Sequence, residues 1–315
     1  MARPILVTGA AGFAGSHLLD LLASQDTSGD IVCWHRPARM PPARGPSAHW
    51  EAVDLLDRRS VIDAIARLKP ATVYHCAGAA HVGQAWERME ATFATNVRGT
   101  HHLFDGLGLA GAEARVLIPS SALVYRPATE PLTEDHPVIP TSPYGLSKLA
   151  QELVGSHPAP GVQVVIARAF NHFGPRQDPA FSTSGFARQV AAIEAGLQPP
   201  ELVVGNVEAR RDLTDVRDTV RAYATIADRG RPSRAYNVCS GRALTIREVL
   251  EMLVARARVA IHIRVDPARF RPNDVPLLLG DPARIRDELG WTPLRPIEQT
   301  IDDVLGYWRH VIAAA

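Results

Sequence analysis

The sequence predicts an α/β fold, in which a doubly wound parallel sheet is joined to a smaller C-terminal lobe. In the first half, short runs of apolar and β-branched residues alternate with amphipathic helical stretches, as in parallel strands covered by helices on both faces. After residue 169 this alternation gives way to loops rich in Pro, Gly and Arg. We therefore expect a sheet domain over 1–169 and 211–240 and a second lobe over 170–210 and 241–315.

The first element of that fold is a strand, a tight turn and a helix. The apolar run 5–8 reads as a buried strand, and Gly9, Gly12 and Gly15 follow at a spacing of three. Glycine allows the sharp bend, the close approach of a diphosphate to the backbone, and the packing of helix on strand. The unpaired N–H groups at the start of the helix would then face the anion. The turn is typical of a Rossmann dinucleotide site, with predicted cofactor contacts at Gly9, Gly12, Phe13, Ala14 and Gly15.

Composition and charge exclude several other classes of protein. Apolar residues make up 46% and charged residues 21% of the chain, and 34 basic side chains nearly cancel 33 acidic ones. This balance gives no overall attraction to nucleic acid or to a membrane surface. No apolar run is long enough to span a bilayer and no secretory signal is recognised, so we expect a cytoplasmic protein. Cys33, Cys76 and Cys239 have no metal-ligand spacing; we expect reduced thiols and no metal site.

The residues after the second and third strands bear on the choice of cofactor. An acidic residue after the second strand would bind both ribose hydroxyls of NAD, but His35 and Arg36 stand there. Arg36 suits a 2′-phosphate, so we expect NADP, with NAD left possible and a solvated loop arginine as the alternative. Asp54 and Leu55 end the third strand. Asp54 is expected either to accept from the adenine amino group or to cap the next helix, 58–68.

Small residues at a fourth strand end leave room for a cofactor across the sheet edge. The run 72–80 closes with small residues, of which Ala77, Gly78 and Ala79 are the predicted cofactor contacts. Asn96 follows on a predicted long helix. It either braces the backbone of this edge or is simply satisfied on a half-buried helix face.

A third set of residues has the chemistry of proton transfer. The strand 115–121 brings Ser121 to the same edge, and Ser142-Pro143 opens a helix that carries Tyr144 and Lys148. Four residues apart, these two side chains share one helix face, and an ammonium beside a phenol favours the phenolate. Ser121 would hold a substrate oxygen while Tyr144 transfers a proton.

The chain resembles the extended short-chain dehydrogenase/reductase superfamily, with TGAAGFAG as the cofactor turn and YGLSK as the catalytic Tyr-x-x-x-Lys. Within it the chain resembles most the GDP-4-keto-6-deoxy-D-mannose reductases, relatives of the GDP-mannose 4,6-dehydratases. The strings that carry this narrower match are ARAFNHFGPRQ at 167–177, VGNVEARRDLTDVRD at 204–218, YNVCSG at 236–241, RPNDVP at 271–276 and GWTPLRPIEQT at 290–300.

The resemblance implies a sugar-nucleotide substrate whose C4 ketone is reduced by NADPH. It places the substrate contacts at Ser121, Asn171, Arg211, Arg271 and Asp274. Arg211 also has the alternative of an ion pair on a loop with Asp212. A homodimer or homotetramer is implied, with subunits joined through helices near 89–107 and 144–156.

Three residues depart from the family pattern, and they bear on which reaction the chain catalyses and on which sugar. Leu123 stands where dehydratases use a glutamate for elimination, so dehydration is disfavoured while ketone reduction stays open. Arg126 replaces a common glycine, and Phe173 replaces a smaller polar residue, which bears on sugar specificity. The alternatives are a sugar-nucleotide 4-epimerase or 4,6-dehydratase and, from another class, a non-catalytic dinucleotide-binding sensor, although such a sensor tends to lose the Tyr or the Lys.

Overall fold

The computed structural model describes residues 4–25, 31–37, 48–270 and 275–314. The strands of this part are β1 (Ile5–Thr8), β2 (Ile31–His35), β3 (His49–Ala52), β4 (Thr72–His75), β5 (Ala114–Ser121), β6 (Val162–Ala169), β7 (Asn171–Phe173), β8 (Glu201–Val204), β9 (Arg210–Asp215), β10 (Ala235–Val238), β11 (Ala243–Thr245), β12 (His262–Val265) and β13 (Leu277–Leu278). Its α-helices are α1 (Phe13–Ser24), α2 (Arg58–Leu68), α3 (Gln84–Glu87), α4 (Met89–Phe93), α5 (Gly99–Leu109), α6 (Pro143–Gly155), α7 (Ser182–Glu194), α8 (Val216–Arg229), α9 (Ile246–Val254), α10 (Ala283–Leu289) and α11 (Ile297–Ala313).

Among the described residues, a seven-stranded sheet runs in the order β10-β6-β5-β4-β1-β2-β3, and its neighbouring strands are parallel. Leu18 of α1 and Ile226 of α8 pack in the core on one face of the sheet. Ile65 of α2 and Leu103 of α5 pack in the core on the other. The doubly wound sheet predicted from the alternating pattern is therefore confirmed, and the strand ends that carry the candidate residues meet at its carboxyl edge.

The helix predicted over 58–68 has those bounds, but its cap is not Asp54. The carboxylate of Asp57 accepts two backbone N–H groups of the first turn of α2, at 3.1 and 3.2 Å. Asp54 accepts instead from the N–H of Leu56 at 2.9 Å, within the turn that precedes the helix. The two aspartates lie three residues apart: Asp54 stabilises the turn, and Asp57 caps the helix.

The helix predicted through 94–100 is interrupted. Between α4 and α5 the backbone forms one π-helical segment, Ala94–Arg98. Asn96 lies within this segment and is fully buried. A single π-helical turn inserted between α-helices often marks a functional position.

The second lobe is built on β9, which pairs with β7, β11 and β13. Helices α7, α9 and α11 cover it with their own apolar core, which includes Val190, Leu250 and Ile301. The predicted boundary at residue 211, where the chain was expected to return to the sheet domain, thus falls inside β9, a strand of the second lobe. Trp291, which was predicted to belong to the second lobe, packs instead in the core of the central sheet.

All three cysteines are free; Cys33 and Cys239 are buried and Cys76 is half-buried. Burial raises the pKa of the Cys33 and Cys76 thiols to about 12, so both are protonated at neutral pH. Within the described part of the chain, no helix combines the length and the apolar character needed to cross a membrane.

Candidate active site

The glycine turn is packed against the neighbouring strand end. Gly9 has a φ of +66°, and a side chain there would place its Cβ only 2.6 Å from the backbone of Ala77. A Cβ on Gly15 would overlap the carbonyl oxygen of Gly9. Gly12 closes the turn by donating its N–H to that same oxygen at 2.9 Å, and as the residue before α1 it offers no side-chain cap. The turn therefore exposes backbone at the start of a helix, which suits a diphosphate.

The small residues at the end of β4 are held by Asn96. Its side-chain oxygen accepts from the N–H of Ala79 at 2.7 Å, and its amide donates to the carbonyl of Ala79 at 3.2 Å. The amide also donates to the hydroxyl of Ser147 on α6 at 2.9 Å. Gly78 lies so close that an added Cβ would be 3.0 Å from the Asn96 oxygen. Of the two interpretations of Asn96, the structure supports bracing of the backbone.

The candidate proton-transfer residues lie on β5 and α6. Ser121 ends β5 and is hydrogen-bonded to the phenol of Tyr144. Tyr144 lies in the first turn of α6, and Lys148 follows one turn later and is 7% exposed. The start of α6 is set by Ser142, whose hydroxyl accepts from the N–H of Gly145 at 3.1 Å.

The protonation states of Tyr144 and Lys148 are set mainly by burial. Burial raises the pKa of Tyr144 to about 12, and its hydrogen bond with Ser121 opposes the rise. Burial lowers the pKa of Lys148 to about 8, and the negative charge of Glu152 opposes the fall. For Tyr144, burial outweighs the opposing contact, the hydrogen bond with Ser121. At neutral pH Tyr144 is a neutral phenol, which is the form that can donate a proton.

The residues predicted to meet the adenosine end lie at the same sheet edge. Thr8 pairs in register with Trp34, so Arg36 follows two residues beyond that pair, and its side chain is exposed. Asp54 is also exposed, and the carbonyl of Leu55 accepts from the His102 ring at 2.8 Å. Arg36 is thus free to meet a ligand at the edge where the glycine turn lies.

Two of the four substrate residues of the lobe can be placed. Asn171 is exposed on β7, and Arg211 is half-exposed on the neighbouring β9. The Arg211 guanidinium donates to the carbonyl of Val275 at 2.7 Å. The segment of Arg211 is a strand, not the loop considered in one interpretation. Arg271 and Asp274 lie outside the described residues.

The three departures from the family pattern have different surroundings. Phe173 is 1% exposed within the apolar core of the second lobe, so it fills space there and does not line the site. Arg126 is exposed, and its N–H donates to the carbonyl of Pro137. Leu123 lies in the 3-10 turn directly after Ser121 and donates its N–H to the Ser121 hydroxyl at 3.2 Å. Only Leu123 is thus in contact with a candidate catalytic residue.

Sequence reasoning missed several polar residues beneath this edge. Thr8, His75, Thr100 and Gln151 are almost fully buried and hydrogen-bonded to one another. Of these four residues, Gln151 alone could have been recognised from the sequence, because it follows Lys148 by three residues on the same helix. The remaining three read as ordinary strand or helix residues. A ring contact between Phe13 and His172, 5.8 Å apart and nearly parallel, was also missed; it joins the glycine turn to the second lobe.

Comparison with known proteins places this arrangement among sugar-nucleotide enzymes. A family model described as GDP-mannose 4,6 dehydratase matches residues 6–304. The chain is 36% identical to GDP-6-deoxy-D-mannose reductase of Pseudomonas aeruginosa, over 98% of both chains. It is 31% identical to UDP-glucose 4-epimerase of Bacillus subtilis, over 95% of both. The solved structure of RMD from Pseudomonas aeruginosa, complexed with NADPH, superimposes with a TM-score of 0.85 at 33% identity, covering 98% of this chain and 100% of the other.

Proposed function

Because the chain belongs to the GDP-mannose 4,6-dehydratase family, we propose that it is an NADPH-dependent reductase of the C4 ketone of an NDP-4-keto-6-deoxyhexose. GDP-4-keto-6-deoxy-D-mannose is the substrate that its likeness to the Pseudomonas reductase favours. One observation carries the reaction type: Tyr144 is a neutral phenol hydrogen-bonded to Ser121 at the cofactor edge, while Leu123 stands where elimination needs a proton-transferring side chain.

The residues present fit a dinucleotide cofactor. The turn at Gly9, Gly12 and Gly15 is a cradle that a Cβ would fill, and Ala77–Ala79 adds a second small-residue surface beside it. Arg36 is exposed just after β2 and would bind a 2′-phosphate, which is the group that distinguishes NADP from NAD. When bound, NADPH supplies a hydride.

The chain's own residues supply the proton and the orientation. Ser121 holds the carbonyl oxygen of the substrate, and Tyr144 donates its phenolic proton to that oxygen as C4 gains the hydride, so that the ketone becomes an alcohol. Lys148, as an ammonium, stabilises the phenolate that Tyr144 leaves behind. Asn171 and Arg211 would hold the nucleotide end, since an arginine can bind a diphosphate bidentately.

An internal 4-epimerisation is the second candidate, favoured by the 31% identity to a UDP-glucose 4-epimerase. The two reactions differ in cofactor stoichiometry. The test follows NADPH absorbance with GDP-4-keto-6-deoxy-D-mannose and, in parallel, with UDP-glucose. We expect one NADPH oxidised for each GDP-6-deoxyhexose formed. Turnover of either substrate without loss of NADPH absorbance would contradict the reductase.

The preference for NADPH is expected to depend on Arg36. Substitution by alanine removes the one cation predicted to meet the 2′-phosphate and should raise the KM for NADPH by about tenfold, the value of one exposed charge-assisted contact. The KM for NADH provides the control and should stay within twofold. An equal change for both cofactors would show that Arg36 does not bind the 2′-phosphate.

We also propose that two subunits pair through the helices around α4 and α6. Apolar side chains on these helices are exposed: Trp86 by 51%, Met89 by 47%, Leu146 by 49% and Leu153 by 61%. Exposed apolar side chains grouped on neighbouring helices are typical of a subunit interface.

A charge on this surface should therefore separate the subunits. Leu153→Glu is expected to halve the mass measured by sedimentation, because the partner would have to bury a carboxylate. Leu197→Glu, on a 68% exposed leucine of the second lobe, is the matched control and should leave the mass unchanged. A monomeric unsubstituted protein would refute the pairing.

A further inference from the structure

The ammonium of Lys148 has a neutral partner in the protein interior. Its Nζ donates to the side-chain oxygen of Gln151 at 2.5 Å. The Gln151 amide then donates to the hydroxyl of Thr100 on α5 at 2.8 Å, and Gln151 is fully buried. Lysine has donors only, so the oxygen of Gln151 must face Lys148 and its NH₂ must face Thr100.

The direction of the remaining hydrogen bonds follows from Thr100. Its hydroxyl donates to the carbonyl of Asn96 at 2.6 Å, so it can only accept from Gln151 and from the His75 ring, whose Nε2 lies 2.9 Å away. His75 is therefore protonated on Nε2, and its Nδ1 accepts from the hydroxyl of Thr8 at 2.9 Å.

This neutral tautomer agrees with the surroundings of His75. Burial, aided by the positive charge of Lys148, lowers the pKa of His75 to about 3. Thr8 in turn accepts from the N–H of Ala77 at 3.2 Å. A buried hydrogen-bond chain thus runs from Lys148 through Gln151, Thr100, His75 and Thr8 to the strand end at Ala77, with a single consistent placement of hydrogens.

Charged groups near Lys148 do not replace this partner. Glu152 lies next to Gln151 on α6, but its carboxylate accepts from Arg168 at 3.0 and 2.8 Å and from the hydroxyl of Ser120. His75, the last residue of β4, is neutral. The Cys76 thiol, which follows directly, is protonated, since burial raises its pKa to about 12. Tyr144, one turn earlier on α6, is a neutral phenol.

We propose that Gln151 is a positioning residue of the reductase: it holds the Lys148 ammonium and ties it, through Thr100, His75 and Thr8, to the sheet edge that receives the cofactor. Its role in the reaction rests on the proposed function, whereas its hold on Lys148 does not. Burial lowers the pKa of Lys148, and the neutral amide of Gln151 fixes the ammonium in place without the rise in pKa that an adjacent carboxylate would cause.

The sequence allows this to be measured directly, because Lys69 and Lys148 are its only lysines. In the Lys69→Arg protein, with selective isotopic labelling of lysine, Lys148 gives the single side-chain ammonium signal to titrate by NMR. We expect Gln151→Glu to raise the Lys148 pKa by about 1 to 3, the effect of an adjacent opposite charge. Gln151→Leu should lower it, because the acceptor is lost in an apolar setting.

The matched control is Gln163→Glu, the same change on β6, where the exposed Gln163 accepts from Arg115. It should leave the titration of Lys148 unchanged. If Gln151→Leu does not fold, the isosteric Gln151→Glu variant decides alone. A Lys148 titration that stays the same in Gln151→Glu as in the unsubstituted protein would overturn the proposal.

The rate gives a second readout that separates this inference from the proposed function. Reduction leaves a phenolate that the Lys148 ammonium stabilises, so the rate should fall as pH rises through the pKa of Lys148. That alkaline limit should move to higher pH in Gln151→Glu and to lower pH in Gln151→Leu.

An alkaline limit that does not move although the Lys148 titration does would refute the role of Gln151 in the reaction. Absence of any NADPH-dependent reduction in the unsubstituted protein would refute the proposed function, while the titration would still decide whether Gln151 holds Lys148.

Discussion

Tyr144→Phe is expected to lower kcat for ketone reduction by about 10²- to 10⁴-fold, the usual contribution of a positioned general acid. The phenol is the proton donor that the geometry offers to the substrate oxygen, and phenylalanine keeps the ring while removing that proton. Cofactor binding should change little, because the glycine turn and the Asn96 contacts are untouched. Initial rates of NADPH oxidation and the Kd for NADPH measure the two effects separately.

The control for this prediction is Tyr307→Phe on α11. The Tyr307 ring packs edge to face on Trp308, and that contact survives the loss of the hydroxyl. Its kcat should equal that of the unsubstituted protein. If Tyr144→Phe also kept a full rate, another group would have to be the acid and the proposed mechanism would be wrong.

Gly15→Ala should produce the second large effect, a loss of cofactor affinity of about tenfold to a hundredfold. The new Cβ would overlap the Gly9 carbonyl oxygen and come within 2.9 Å of the Ala10 Cα, so α1 must move away from β1. A shift of this kind costs about 1–3 kcal/mol and displaces the turn that would hold the diphosphate. Calorimetric titration with NADPH measures the affinity.

Gly306→Ala on α11 is the matched control, because a Cβ there meets nothing within 4 Å. It should leave the Kd unchanged and raise stability slightly, as alanine is the better helix residue. A Kd for Gly15→Ala within twofold of the unsubstituted protein would mean that the turn is not where the diphosphate binds.

The central sheet could be predicted from the sequence because its signals are local. Apolar runs such as Ile5–Thr8 and Thr72–His75 indicate buried strands directly, and Ser142-Pro143 predicts the start of α6, the helix that carries Tyr144 and Lys148. The glycine turn was readable for the same reason. In each case the residue type required by the backbone stands in the segment itself.

What sequence reasoning missed depends on contacts between distant segments. The π-helical turn at Asn96 lies in a segment whose key partners, Ala79 and Ser147, come from other elements. The neutral state of Tyr144 follows from burial, which four-residue spacing to Lys148 does not reveal. Phe173 suggested altered sugar specificity, yet the fold places it in the core of the second lobe. Such effects arise only once tertiary packing is known.

The most direct test of the central claim follows the hydride itself. The enzyme is given GDP-4-keto-6-deoxy-D-mannose and NADPH carrying deuterium at the transferred position, and the product is analysed by NMR and mass spectrometry. A reductase should form a GDP-6-deoxyhexose with one deuterium at C4 for each NADPH oxidised. Product without deuterium at C4, or a change of substrate without NADPH oxidation, would contradict net reduction and indicate a hydride that returns to its own substrate.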